Sequence, residues 1–449
     1  MSDELQNSER RGPGTQVTTD PASLADLTAT EKRAAYLVVV HTPDAKHLGK
    51  RLVLGDDLLL LGREIDASGV CVDDPRMSRV HARFTLDGRA GLFRIGDSHS
   101  RNGTFVNGER VETQLLSDGD VIRSGDTLLV YSEGSALERA RRRAEALARS
   151  ELNILVLGET GTGKELFSRM IHEKSERKGE FVAINCASVP SELVGAEFFG
   201  HTKSAFSGAQ APRKGMFVAA DKGTLLLDEV GDCPPDVQAS LLRAIQEKAV
   251  RPIGAEKEVP VDVRVIAATH ANLSDAVEQG KFRADLFARL SQATVELPPL
   301  RARKAELLEL AHELAREARS TLQLSADAAE ALLLWSWPLN VRELQSLVRA
   351  FCTLHPGSEL DLTALAEAAP SVAAPIVARK RRSDALRTTH SSLPPSAIGE
   401  PAADRSKLKQ LLETNGGNVS AVADALGKPR AQVYRWMKSM GLAPGKFRR

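Results

Sequence analysis

Gly158-Glu159-Thr160-Gly161-Thr162-Gly163-Lys164 sets three glycines and a lysine between an apolar run, Ile154 to Leu157, and a segment patterned as a helix, 165–174. Glycines accept positive φ and can turn backbone N–H groups inward around phosphate oxygens. The helix N-terminus adds positive potential, and a lysine at this spacing reaches the β and γ phosphates. Further on, Leu225 to Leu227 form a buried-strand run closed by Asp228 and Glu229. Asp228 suits a Mg²⁺ held beside phosphates, and Glu229 suits polarising an attacking water. Acids at a strand end can also cap the next helix, but with the glycine loop they point to hydrolysis of a nucleotide with Mg²⁺. Glu165 stands where Ser or Thr commonly touches the metal, so metal binding must lean on phosphate, water and other carboxylates.

The elements that must position these groups follow from texture along the 449 residues, too many for one core. Residues 1–33 are polar, with Pro13 and Pro21, and read as a flexible lead. From Tyr36, short apolar runs broken by turn residues predict an all-β sandwich over 34–133. Residues 134–151 read as a connector helix, a relay or a simple spacer, with arginines on one side and Leu and Ala on the other. An α/β unit over 152–299 and a helical lid over 300–368 come next, with Trp335 and Trp337 as lid core. An Ala/Pro/Ser-rich linker is expected at 369–402 and an all-α module at 403–449.

Net charge is +1, so no partner follows from overall charge, but Lys428 to Arg449 holds seven Lys or Arg and no acid, which suits a polyanion. Cys71, Cys186, Cys233 and Cys352 are far apart in sequence and read as reduced, buried thiols. With no apolar run near a membrane-spanning length and no leader pattern, a cytoplasmic protein without a membrane partner is expected.

GETGTGKE resembles the phosphate loop of the bacterial enhancer-binding AAA+ activators of sigma-54 RNA polymerase, in which Glu after the Lys is ordinary. Five further segments follow in that family's order, across about 200 residues. FVAINCASVP resembles the segment whose Asn restrains the catalytic Glu, which implies Asn185. ELVGAEFFGHTKSAFSGA resembles the sigma-contacting loop, implying Ser204, Ala205, Phe206, Ser207, Gly208 and Ala209, with Phe206 the apolar tip. Ser204 and Ser207 replace a Gly and a Thr of that pattern. RVIAATH resembles the first sensor, with Thr269 in place and His270 where Asn is usual. FRADLFARL resembles the segment with two trans-acting arginines, implying Arg283 and Arg289 and hence a homo-oligomeric ring, with six subunits the expected form. WPLNVRELQSLV resembles the second sensor, implying that Arg342 faces nucleotide; on its own, Asn340 reads as a helix N-cap.

Two flanking modules carry resemblances of their own. Arg63, Ser78, Arg79 and Asn102 stand in the order and spacing of forkhead-associated (FHA) domains, which implies a phosphothreonine site, with His81 bracing its loops. Guanidinium and hydroxyl groups suit a phosphate dianion, and Asn suits a peptide backbone. GNVSAVADALG followed by PRAQVYRWMKSMGL is similar to a Fis-type helix-turn-helix, with Arg430, Gln432, Tyr434, Arg435 and Lys438 as DNA-contact candidates, and Val433 and Trp436 or Met437 as core. The implied protein is a sigma-54-dependent activator: an FHA sandwich answering a phosphothreonine protein, an AAA+ ATPase acting on sigma-54 RNA polymerase, and a module bound to enhancer DNA. The alternative is a DNA-bound phosphopeptide adaptor or repressor with a degenerate contact loop.

Overall fold

The structure, a computed structural model, describes residues 35–391 except 66–68, 89–90, 204 and 206–210, and, nearer the C-terminus, 405–415, 418–426, 433–434, 436–437 and 442. Two units are distinguished, 1–378 and 379–449. The N-terminal lead expected at 1–33 lies outside the described residues.

The first part of the chain folds as the expected sandwich. One sheet runs Arg51–Val53, Tyr36–His41, Thr127–Ser132, Val121–Ser124, Thr104–Val106, Glu109–Val111. The other runs Gly69–Cys71, Leu59–Gly62, Ala82–Asp87, Leu92–Asp97, Thr113–Leu115. Alternation decides which side chains meet: Leu37, Val39, Leu129 and Tyr131 point between the sheets with Phe84 and Ile95. Their neighbours Val38, Val40, Val121, Leu128 and Val130 point the other way, yet they are buried as well. They share one core with the helices Lys304–Glu317, Ala326–Leu334 and Asn340–Leu354. Strands buried on both faces explain why YLVVV and TLLVY are continuously apolar. Each such aliphatic side chain contributes roughly 1.5–3 kcal/mol relative to exposure, so the sandwich is docked on the lid and not tethered beside it.

The helix Ala136–Ala148 starts where Ser135 accepts the Glu138 N–H, and buries Leu137, Ala140, Ala144 and Ala148. These residues pack with Ile154, Val156, Phe167 and Ile266 of the α/β unit. Arg264 donates to the last carbonyls of the helix, Leu147 O at 2.8 Å and Ala148 O. The connector helix is thus packed along one face on the α/β unit.

The α/β unit is a parallel sheet of order Phe181–Asn185, Thr224–Asp228, Arg264–Thr269, Ile154–Leu157, Ala293–Glu296. Register aligns Asn185 with Asp228, and Leu157 with Thr269, so these strand ends share one edge of the sheet. In open parallel sheets this carboxyl edge is where ligands bind.

The lid extends further than expected. Residues 369–402 read as a linker, but Pro370–Ser391 is helical, and Val372, Ala373 and Ile376 join the lid core. Pro370 fits a first helical position, and burial of three apolar side chains outweighs the break that Pro375 would otherwise cause. Trp337 is fully buried, as expected, and donates to Leu332 O; Trp335 donates to Glu343. In the second unit, Arg405–Thr414 and Val419–Leu426 pack through Leu408, Leu412, Val422, Val433 and Met437, with Trp436 against them.

Candidate functional site

The phosphate loop joins the Ile154–Leu157 strand to the helix Lys164–Lys174, with Gly158, Gly161 and Gly163 all at positive φ. A Cβ at Gly163 would meet nothing within 4 Å, whereas one at Gly161 would lie 2.2 Å from Leu339 O. The loop is therefore open on one side and closed by the lid on the other. Lys164 Nζ donates to Gly158 O at 3.0 Å, Glu159 O at 3.4 Å and Glu229 Oε1 at 3.3 Å. Thr162 folds back onto Glu159 O. A cation and open glycine amides at a helix N-terminus fit a polyphosphate.

Asp228 ends its strand and Glu229 follows with φ 48°, a left-handed conformation uncommon outside glycine. The two acids have opposite tendencies. Burial, then the charge of Glu229, raises the Asp228 pKa above its ordinary value. Burial also works against ionised Glu229, but bonds from His270 and the charge of Lys164 outweigh it and its pKa is lowered. A carboxylate kept ionised can serve as a base, and Asp228, with Glu229 alongside, offers oxygen donors suited to Mg²⁺.

Asn185 Nδ2 donates to Asp228 Oδ2 at 3.3 Å, not to Glu229, because the strand register sets Asn185 directly beside Asp228. The group that holds Glu229 is His270, through Nδ1 at 2.8 Å and its backbone N–H at 3.2 Å. As a bare strand-end residue His270 gave no such signal. The Glu165 side chain lies on the exposed face of its helix with Arg169 3.5 Å away, one helical turn on, and points away from the Lys164 amine's partners. Thr269 is buried, accepts from Ala271 N with its hydroxyl and from Gly158 N with its carbonyl.

Glu159 belongs to the lid contact. Arg301 grips both of its oxygens, at 2.8 and 2.5 Å, and Asn340 Nδ2 donates to it at 3.1 Å. The Arg301 bonds, then that of Asn340, bring the Glu159 pKa down to about 2. Asn340 is not the N-cap: fully buried, it also donates to Thr160 O and accepts from Leu300 N, while Glu343 reaches back to Leu339 N. Arg342 is exposed, with its Cβ beside Gly161. Arg283 pairs with Asp285 on the surface, and Arg289 Nε is buried without a hydrogen-bond partner among the described residues.

Of the sigma-contact residues, Ser204, Phe206, Ser207, Gly208 and Ala209 lie outside the described residues. The pairing of Gly200–His201 with Arg213–Lys214 brackets the segment, and Ala205 N donates to Thr202 O. Arg430, Gln432, Arg435 and Lys438 also lie outside them, whereas Tyr434 is exposed.

At the sandwich, Arg63 N donates to Ser78 O and Glu64 N to Arg79 O, so those two loops run side by side. Gly62 permits this, since a Cβ there would lie 2.0 Å from Arg79 O. Buried His81 accepts from Ser78 N at Nδ1 and lies 3.2 Å from Gly103 O at Nε2, which fixes the neutral Nε2–H tautomer. Ser78 Oγ accepts from Arg101 N, and Asn102 Nδ2 donates to Arg76 O at 2.6 Å. Arg63, Ser78, Arg79 and Asn102 are thus brought to one end of the sandwich. Cys71 is exposed, contrary to expectation; Cys186 and Cys233 are buried with sulfurs 3.0 Å apart.

Residues 130–296 match the sigma-54 interaction domain, 59–125 the FHA domain and 301–375 the AAA+ ATPase lid domain. Over 325 residues the chain is 34% identical to the transcriptional regulatory protein GlrR of Escherichia coli K12, covering 71% of this chain and 69% of GlrR. The chain belongs to the sigma-54-dependent transcriptional activators. Within that family it is similar to the hydrogenase transcriptional regulatory protein HoxA of Cupriavidus necator, 44% identical over 64% of this chain and 61% of HoxA. It is also 37% identical to the DNA-binding transcriptional regulator NtrC of Escherichia coli K12, over 71% of each chain. The chain thus spans less than two thirds of HoxA. No helix among the described residues is long and apolar enough to cross a membrane.

Proposed function

We propose that this chain assembles into a ring in the cytoplasm, hydrolyses ATP and thereby remodels the closed complex of sigma-54 RNA polymerase. Its C-terminal helices would hold enhancer DNA, and a phosphothreonine protein bound to the sandwich would set its activity. The observation that carries this reading is the sigma-54 interaction match over residues that include Lys164, Asp228 and Glu229. Lys164 supports phosphate binding, since its amine stands between the loop carbonyls and Glu229. Glu229, ionised and oriented by His270, would take the proton of the attacking water. Asp228, oriented by Asn185, would hold Mg²⁺, which when bound supplies charge neutralisation beside the phosphates. Arg283 and Arg289 would act on the nucleotide of a neighbouring subunit.

Transcription from a sigma-54 promoter, measured with Lys164→Ala and Phe206→Ala, tests the whole proposal: activation retained by either variant overturns it. Ser204 and Ser207 favour the second reading, an adaptor or repressor whose contact loop has degenerated. Binding of the sigma factor in the presence of ADP and aluminium fluoride eliminates that reading.

A further inference from the structure

The phosphothreonine loops and the phosphate loop are joined by one continuous set of contacts that crosses the seam between sandwich and lid. At the sandwich end, Asn102 Nδ2 donates to Arg76 O at 2.6 Å. Arg76 is 3.3 Å from Asp126 through Nη1, and Asp126 is 3.4 Å from Arg123. The 124–127 turn is locked onto the same loop: Asp74 accepts from Asp126 N at 2.8 Å, Thr127 Oγ1 at 2.9 Å and Arg76 N at 2.8 Å. Gly125 makes that closeness possible, since a Cβ there would come within 2.7 Å of Asp74 Oδ2 and 2.9 Å of Met77 N.

At the seam, Arg123 Nη1 donates to Glu330 Oε2 at 2.6 Å and to Asp327 Oδ1 at 2.8 Å, both on the lid helix Ala326–Leu334. Arg123 is 10% exposed and Glu330 1%. A guanidinium buried against two acids has no solvent to fall back on, so it fixes the position of one element on the other. From the same lid helix, Leu332 O accepts from Trp337 Nε1 and Trp337 O accepts from Asn340 N. Asn340 then donates to Thr160 O at 3.0 Å, and Val341 N to Gly161 O at 2.9 Å.

We propose that Arg123 couples the two sites: sandwich and lid form one body, and occupation of the phosphothreonine loops changes nucleotide affinity at the phosphate loop. The shared apolar face of Val38, Val40, Val121, Leu128 and Val130 holds the body together, and Arg123 fixes its register. Linkage makes the effect reciprocal, so nucleotide changes phosphopeptide affinity by the same factor. This inference rests on the ATPase and phosphothreonine readings above, and it specifies where one controls the other.

The test uses the full chain, ADP, and a phosphothreonine peptide selected from a degenerate library, with its unphosphorylated twin as control. In the wild type, the peptide Kd measured with and without saturating ADP should differ about fivefold or more, and the ADP Kd should change by the same factor with peptide. In Arg123→Met/Glu330→Met, which removes together both members of the more buried of the two Arg123 ion pairs and keeps the more exposed Asp327, each Kd by itself should stay within about twofold while the coupling factor falls toward one. The two retained affinities also report that the variant is folded. Asp126→Asn, a change in a half-exposed turn, should lower the factor as well. Independent binding of the two ligands to the wild type, or a factor that survives the double substitution, overturns the coupling. Failure of the peptide to bind at all is a different result: it overturns the phosphothreonine reading itself, and the coupling with it.

Discussion

Lys164 and Glu229 stand 3.3 Å apart, with His270 on the other carboxylate oxygen at 2.8 Å. One cation therefore faces both the acid proposed as base and the loop proposed for phosphate, and the acid is oriented from its far side. Glu229→Gln removes the proton acceptor but keeps its shape. Turnover of ATP should fall by about 10²–10⁴-fold while ADP and ATP still bind. Steady-state hydrolysis and nucleotide titration of the same preparation check both halves.

His270 lowers the Glu229 pKa by bonding to the ionised form, so removing it must raise that pKa. A base works only when deprotonated, and the rate climbs as pH rises through its pKa. The acid limb of the kcat profile should consequently move to higher pH in His270→Ala. A profile that keeps its limb and loses only amplitude would show that His270 acts on something other than Glu229.

Among the described residues Arg289 Nε is buried without a hydrogen-bond partner, and Arg283 pairs with Asp285 only two residues away. Neither environment gives the pair a role at its own chain's phosphate loop. Arg289→Ala should reduce hydrolysis about 10³-fold or more if it neutralises charge on a neighbour's nucleotide. Mixing Arg289→Ala with Glu229→Gln should restore part of the activity, because some seams then combine an intact arginine with an intact base. Recovery absent at every mixing ratio would place the arginine in its own subunit's site.

Much of this was legible because it is local. A strand, three glycines and a lysine lie within eleven residues, whereas the Arg63, Ser78, Arg79 and Asn102 set was legible only through its resemblance to FHA domains. Side chains that work across long separations were not legible. Arg123 meets Glu330 from 207 positions away, and a lone Arg in a short strand gives no sign of a buried partner. Asn340 looked like a cap because Asn commonly is one; its three bonds depend on how the lid folds back on the phosphate loop. Where the expected linker is helical, at Pro370–Ser391, composition misled, since Ala and Pro suggest a linker until the lid supplies a surface for Val372 and Ile376.

Those bonds make Asn340 the more sensitive side of the lid contact. Asn340→Ala leaves the Leu300 N–H buried without its acceptor and frees Thr160 O, a change that should cost about 2–4 kcal/mol. Glu159→Gln disrupts the ion pair with Arg301, but the two side chains are 42% and 45% exposed, so about 1 kcal/mol or less is expected. Thermal unfolding with and without ADP ranks them: Asn340→Ala should lower Tm more and weaken ADP more.

At the sandwich, burial lowers the His81 pKa below its ordinary 6.5, against the raising effect of its bond to Gly103. The unfolded chain takes up this proton near pH 6.5 while the folded one does not. Stability from His81 is therefore full above that pH and declines as pH falls toward the lowered folded value. Protonation would also remove the Nδ1 acceptor of Ser78 N, loosening the loop that carries Ser78 and Arg79. A phosphopeptide titration alone is ambiguous, because phosphothreonine itself titrates near pH 6. Imidazole ¹⁵N shifts of the histidine-labelled full chain separate the two effects: the His81 signal should keep its Nε2–H pattern below pH 6.5, where exposed histidines have begun to protonate.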